Sequence, residues 1–444
     1  MGYVIRCRRP DRVVNELSRD EKLLRNSSTV NSAVKRSPHE GKPRLRILIG
    51  ADTFWPQING AATFIARLSA GLAERGHDVH IVAPSYSNKK LGQMVETHEG
   101  QKMTLHRLYS WRWLDHPWLR FSLPWRIRRN SAIVLDHVKP DVIHFQSHII
   151  IGRGLTIEGR KRGIRMVGTN HFMPENLLDH ARIIPRFMRE KAIRMGWDAA
   201  ARSFIRAERV TTPTRRAADY LEENTSVRNV IAVSCGINAD GYNGNLEPKP
   251  ENLIVFLGRL AEEKQIDKLI RAVAILDPAL DAKLEIVGGG ELEGKLRALV
   301  ASLGLEERVT LTGFVEQAQL RDALQRGSVF AMPSIAELQS ISTMEAMASG
   351  LPVVAANAMA LPHLVHDGEN GFLFEPGNVE DLAAKLTQVL TMPADELLKF
   401  KKESLSIVAA HDIQRTLDTF ESLYRGEEVT DPAALGKNNE SAPA

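Results

Sequence analysis

The chain has 444 residues, 43% of them apolar, with two cysteines and a formal net charge of +4. That length and apolar fraction suffice for two buried cores. Cys7 and Cys235 exclude a disulfide framework, and no apolar run approaches the roughly 18 residues that span a bilayer. The charge is split between halves: residues 1–250 carry 41 Lys and Arg against 24 Asp and Glu, and residues 251–444 carry 17 against 30. The first half is therefore expected to face something anionic, such as a membrane surface, a nucleic acid or an acidic substrate, unless it is simply a basic solvated surface. With no cleavable signal sequence visible, a reducing cytoplasm is the expected home.

Residues 1–43 mix charge, Ser and Asn with little periodicity and read as a basic, disordered arm. Arg46 to Gly50 is a strand, Phe54 to Gly60 a loop with the turn pair Asn59-Gly60, and Ala61 to Arg75 a helix that Gly76 ends. Strands follow at Val79–Ala83, Val142–His144 and Met166–Gly168. The alternation restarts after Pro248 and Pro250, with strands at 252–258, 284–287, 309–311, 329–331 and 353–355 and helices at 264–276, 291–303 and 317–325. This is an α/β chain with two doubly wound, Rossmann-like domains, residues 44–247 and 248–425, and a disordered tail over 426–444.

Four places have the composition of a ligand site. Pro56 to Ala62, including Asn59 and Gly60, joins the first strand to its helix, where small residues admit a ligand to backbone amides. Gly258 and Arg259 follow the second domain's first strand, with Lys264 five residues beyond Arg259; two cations entering a helix can clamp a diphosphate or remain surface charges. Gly288, Gly289 and Gly290 form a turn after the next strand. It is not a dinucleotide fingerprint, because Glu293 stands at the third glycine position, so a nicotinamide oxidoreductase loses support. A nucleoside could still lie there, near Phe314 and Val315. The fourth place is Glu337 with Glu345, eight positions apart. Carboxylates at the carboxyl edge of a parallel sheet accept from hydroxyls; the alternative is two solvated acids on an ordinary strand-helix-strand unit. Diphosphate, nucleoside and hydroxyl sites in one domain fit a sugar nucleotide.

Gly258-Arg259 with Lys264, the turn at 288–290, Gly313-Phe314-Val315, Pro333-Ser334 and the run from Glu337 through Glu345 to Val354 resemble the retaining glycosyltransferases of family 4. Asp367 to Phe374 is similar to that family's strand after the site, and the resemblance spans residues 45–425. It implies the GT-B fold, two facing Rossmann-like domains with a C-terminal helix crossing back. By the same resemblance, Glu337 contacts the transferring sugar and the backbone at Leu338, Gln339 and Ser340 holds sugar and phosphates. Glu345 binds the ribose, and Arg259 and Lys264 stabilise the departing diphosphate. His171 stands where the family places a histidine at the reacting sugar, although by itself it reads as a core or capping histidine. Asn59-Gly60 occupies the acceptor-side loop. Neither metal nor cofactor is implied. Three departures stand out: Gln265 replaces a usual glycine, Leu338-Gln339-Ser340 a glycine-containing run, and Ser234 to Asn238 an Asn-Gly-Ile-Asp turn. The donor's identity is expected to be read in the 338–340 run.

Between Trp111 and Arg129 lie four of the six tryptophans (Trp111, Trp113, Trp118 and Trp125) and five arginines. Such interleaving suits an anionic membrane surface, or else the aromatics close a core or line an acceptor pocket. Arg182 to Arg209 reads as a basic amphipathic helix. The expectation is a hexosyltransferase taking glucose, mannose or galactose from a nucleotide sugar to a lipid or lipid-linked acceptor. It would sit peripherally on the inner face of the plasma membrane and bind no nucleic acid. The alternatives are a soluble acceptor or an inactive sugar-nucleotide-binding module.

Overall fold

The computed structural model of the chain describes residues 42–57, 59–87, 89–112, 120–174 and 188–430. Trp113, Trp118, residues 1–41, the start of the Arg182–Arg209 stretch and the end of the tail lie outside the described residues. The first half contains, in order, β1 (Arg46–Gly50), α1 (Gly60–Glu74), β2 (Asp78–Pro84), β3 (Gly92–His98), β4 (Gln101–Leu108), β5 (Ser110–Arg112) and β6 (Arg120–Ser122). It continues with α2 (Ile127–Val138), β7 (Val142–Phe145), α3 (Ile151–Lys161), β8 (Arg165–Thr169), α4 (Arg189–Phe204), β9 (Arg209–Thr212), α5 (Arg215–Asn224) and β10 (Ile231–Ala232). Its main sheet runs β10-β9-β8-β7-β1-β2-β4-β3, and every pairing except β3 with β4 is parallel.

The second half follows with β11 (Leu253–Leu257), α6 (Ile266–Ala274), β12 (Lys283–Val287), α7 (Glu293–Ser302), β13 (Val309–Gly313), α8 (Gln317–Arg326) and β14 (Val329–Met332). It then gives α9 (Ile341–Ala348), β15 (Val353–Ala356), β16 (Gly371–Phe374), α10 (Val379–Leu390), α11 (Ala394–Ala409) and α12 (Ile413–Arg425). Its sheet, β13-β12-β11-β14-β15-β16, is parallel throughout. Helices cover both faces of such sheets, which is why the central strands are apolar runs rather than alternating ones. All five residues of β11 are buried.

In each sheet the strand order reverses beside the first strand, between β1 and β7 and between β11 and β14. Ligands of open α/β sheets bind at the carboxyl ends of strands flanking that switch. The last helix, α12, returns to the first half. Leu417 lies against Gly71 of α1, where an added Cβ would meet it at 2.5 Å. Phe420 packs on His144 of β7 with ring centres 4.9 Å apart, and the Tyr424 hydroxyl is 2.6 Å from His144 Nδ1. The described chain from Pro43 onward forms one compact unit. Among the described residues no helix is long and apolar enough to cross a membrane.

Candidate active site

Two loops meet across the second switch point. The first leaves β11 through Gly258 and Arg259 and makes a 3-10 turn over Glu262–Lys264 before α6. The second leaves β14 through Pro333 and reaches α9. They are stitched together at Glu263, whose carbonyl accepts from Ile335 N at 3.0 Å and from Ser334 Oγ at 3.3 Å. Lys264 Nζ donates to Glu337 Oε1, and Arg259 Nη2 donates to Glu263 Oε1 at 2.6 Å. Burial would raise the Glu263 carboxyl, but the Arg259 guanidinium beside it wins and holds it below the usual range. Two cations and a buried carboxylate thus converge at one sheet edge.

The glycine turn is required by packing. A Cβ on Gly288 would fall 2.0 Å from the Gly258 carbonyl oxygen, and Gly288 has φ +135°; a Cβ on Gly290 would fall 2.4 Å from Leu260 O. Gly289 lies under the Phe314 ring, which is 67% exposed, while Val315 packs against the buried apolar cluster that runs through both halves. The turn is therefore pressed onto the cation loop, and an exposed aromatic face stands over it.

The N-terminus of α9 points its first amides out of the helix with no intrahelical partner. Ser340 caps it: its Oγ accepts from Thr343 Oγ1 at 2.8 Å and from Thr343 N at 3.4 Å. The side chain of Gln339 turns away from the loop's front. Its Oε1 accepts from Cys235 N at 2.8 Å, and its Nε2 donates to Ser234 Oγ at 3.0 Å. Thr214 Oγ1 donates to Leu338 O at 2.9 Å. The 338–340 run is thus anchored to the first half. Two of the three departures from the family pattern are partners of each other: Gln339 fits the turn that begins at Ser234. At the third, Gln265 sits at φ +48°, a left-handed position that favours the glycine it replaces.

Glu345 lies farther down α9 and is buried. Its Oε1 accepts from Arg67 Nη2 at 2.6 Å and from the Tyr242 hydroxyl at 2.7 Å. Burial works against the Arg67 charge, but Glu345 outweighs it and raises the guanidinium above its ordinary value. The expected ribose ligand is thus held by protein groups, one of them from α1. Neither Arg67 nor Tyr242 carries a sequence signal: the first lies among α1's apolar positions and the second in the linker.

On the first half, Asn59 caps α1, accepting from Ala62 N at 2.9 Å. Gly60 faces the start of α9; a Cβ there would lie 4.0 Å from Ile341 Cδ1. This brings the expected acceptor loop against the expected donor helix. His171 follows β8, packs at a tilt on Phe64 with ring centres 4.9 Å apart, and its Nε2 is 2.8 Å from Gln146 Oε1. Gln146 Nε2 is in turn 3.1 Å from His144 Nε2, which is 2.6 Å from Thr169 Oγ1. Burial pushes His171 and His144 down to about 3, so both imidazoles are neutral near pH 7. Gln146, which sequence reasoning missed, lies at the carboxyl end of β7, where the switch-point rule would have found it.

Two doubly wound sheets, parallel except for β3 with β4, whose carboxyl-edge loops touch each other define the GT-B class. The profile described as Glycosyltransferase Family 4 matches residues 58–240, and that described as Glycosyl transferases group 1 matches residues 242–405. The chain belongs to the family 4 glycosyltransferases.

It is 28% identical to a GDP-mannose-dependent alpha-mannosyltransferase of Mycolicibacterium smegmatis, over 78% of this chain and 89% of that protein. It is 26% identical to a sulfoquinovosyl transferase of Arabidopsis thaliana over 67% of this chain, and the match spans only 59% of that longer protein. An alpha-monoglucosyldiacylglycerol synthase of Acholeplasma laidlawii is 23% identical over 79% of this chain and 89% of its own length. The solved sucrose-phosphate synthase from Thermosynechococcus elongatus shares the fold with a TM-score of 0.73 at 18% identity, covering 86% of this chain and 99% of that one.

Proposed function

We propose that this glycosyltransferase moves a hexose (glucose, mannose or galactose) from a nucleoside diphosphate sugar to a lipid or lipid-linked acceptor. The transfer retains the anomeric configuration and takes place at the cytoplasmic face of the plasma membrane. The observation that carries it is the meeting of Arg259, Lys264 and Glu337 on two stitched loops at the second switch point. The bond from the anomeric carbon to the diphosphate breaks as the bond to the acceptor oxygen forms on the same face. The acceptor's proton passes to the departing diphosphate. Arg259 and Lys264 stabilise that leaving group, which is where preorganised charge contributes most. Glu337 holds the sugar's hydroxyls, Glu345 the ribose, and the Gly288–Gly290 turn with Phe314 the nucleoside. Neutral His171 accepts or donates a hydrogen bond at the reacting sugar, and the Asn59-Gly60 loop borders the acceptor. In this reading the reaction uses neither a metal nor a cofactor.

The lipid part rests on aromatics beyond the carboxyl end of β4. Trp111 of β5 is 63% exposed and Trp125, just past β6, 71%; Arg112 and Arg126 beside them are exposed. On α4, Trp197 and Phe204 are buried while Met195 is exposed, and Met188 just before the helix is exposed too. Large exposed aromatics among cations suit a headgroup layer. One relative's name, alpha-monoglucosyldiacylglycerol synthase, is that of an enzyme making a glycolipid.

Release of nucleoside diphosphate from a panel of UDP- and GDP-sugars, with diacylglycerol, polyprenyl phosphate and soluble sugars as acceptors, tests the reaction. The product's anomeric configuration by NMR tests retention. Turnover only with soluble sugars, together with failure to float with anionic vesicles, would overturn the lipid assignment. No release with any acceptor would favour a binding module.

A further inference from the structure

Arg67 has no place in the chemistry above, yet it reaches from α1 to the carboxylate assigned to the donor's ribose. Arg67 and Glu345 are both largely buried, with side chains 13% and 8% exposed. The two protein donors on Glu345, Arg67 Nη2 and the Tyr242 hydroxyl, converge on the same oxygen, Oε1. Among the described residues nothing donates to Oε2, and that oxygen is not sealed from solvent. Arg67 Nη2 also lies 3.3 Å from the Tyr242 hydroxyl, which accepts from Gln317 Nε2 at 3.1 Å. Arg67 and Tyr242, with Gln317 bracing Tyr242, therefore hold Oε1 of Glu345 in place. Arg67 Nη1 is buried with no hydrogen-bond partner among the described residues. A guanidinium that leaves one donor unmet is not placed for its own hydrogen bonding; its location is set by the carboxylate it serves.

We propose that Arg67 is a positioning residue for the donor. From the first half it holds Oε1 of Glu345 so that Oε2 is presented to the ribose hydroxyls, and donor affinity thereby depends on α1 being docked against α9. The proposal rests on Glu345 as the ribose ligand. It makes the nucleotide site a product of both halves, although every other residue assigned to the nucleotide lies in the second.

The test uses the full chain, with whichever of UDP and GDP binds the unaltered protein and the 2′,3′-dideoxy form of that nucleotide. Affinities are measured by calorimetry for Arg67→Met, Arg67→Lys and Tyr242→Phe. Arg67→Met is expected to weaken the nucleoside diphosphate about tenfold or more, the scale of one charge-assisted hydrogen bond. It should leave the dideoxy form unchanged, since that ligand has no hydroxyls for Oε2 to accept from. Arg67→Lys should recover part of the loss. In turnover, donor KM rises while kcat at saturating donor is retained. Equal weakening of both ligands, or of neither, would overturn the proposal, because a merely structural contact does not distinguish them. If Arg67→Met fails to fold, Tyr242→Phe removes the other donor to Oε1 and carries the same comparison. If the unaltered protein binds both ligands equally, the ribose role of Glu345 falls and this proposal with it, while the diphosphate clamp stands.

Discussion

Lys264 and Glu337 come from different loops and meet at one oxygen, so each is partly neutralised until a donor arrives. In the proposed reaction a diphosphate would supply Lys264 with a stronger partner and free Glu337 for hydroxyls. Lys264→Ala should therefore lower kcat by about 10²–10³, the cost of removing a preorganised stabilising donor, in a protein that still unfolds cooperatively. Unchanged turnover would remove the clamp. Next to it, Gln265 holds a left-handed backbone and a buried Oε1 with no hydrogen-bond partner among the described residues. Gln265→Gly should raise stability by about 1 kcal/mol, since glycine carries no Cβ penalty at that φ. A lowered urea midpoint would contradict this. Gln339 and Ser234 show how pairwise contact eludes a linear reading: each departs from the family pattern, and only in three dimensions are they partners.

At the scale of elements, the last helix matters most. α12 ends the chain's second half in sequence but caps the first in space, where Phe420 fills the gap between Phe64 and His144. Phe420→Ala should cost about 3–5 kcal/mol, as for other buried aromatics cut to a methyl, read as a lowered denaturant midpoint. Phe64 also packs on His171, so activity should fall with stability; an active variant of unchanged stability would show that α12 is dispensable packing. Apolar spacing through Phe64, Leu68 and Leu72 was enough to mark α1. The antiparallel β3–β4 pair went unseen because β3 is mostly exposed and lacks the apolar run of a covered strand.

The whole molecule carries an acid liability. Burial depresses His144 and His171 to about 3, and His106, His148 and His411 to about 4. Their folded values lie below the unfolded value of 6.5, so the unfolded chain binds more protons in that window. Stability is full above pH 6.5 and is lost as the pH falls toward the folded values. At pH 5, His144 alone contributes a loss of about 2 kcal/mol. Asp52, raised by its burial, works in the opposite sense. Urea unfolding at pH 7.5 and pH 5 measures the sum; a midpoint unchanged or higher at pH 5 would mean that these histidines are not buried neutral.

The strand-helix alternation, the two sheets and the stretch from Gly258 to Val354 could be read from residue order, because periodicity, glycine turns and the spacing of charges are local properties of the chain. The resemblance to family 4 could be read for the same reason: its most specific residues lie within one contiguous strand-loop-helix-strand unit. Tertiary structure alone decided that Arg67 reaches Glu345, that Gln339 belongs to the turn at Ser234, and that Gln146 stands between His171 and His144. Those partners are 278, 105 and 25 residues apart for Arg67–Glu345, Gln339–Ser234 and His171–Gln146. Long-range contacts of this kind follow from how sheets and helices pack, and no local pattern of side chains encodes them.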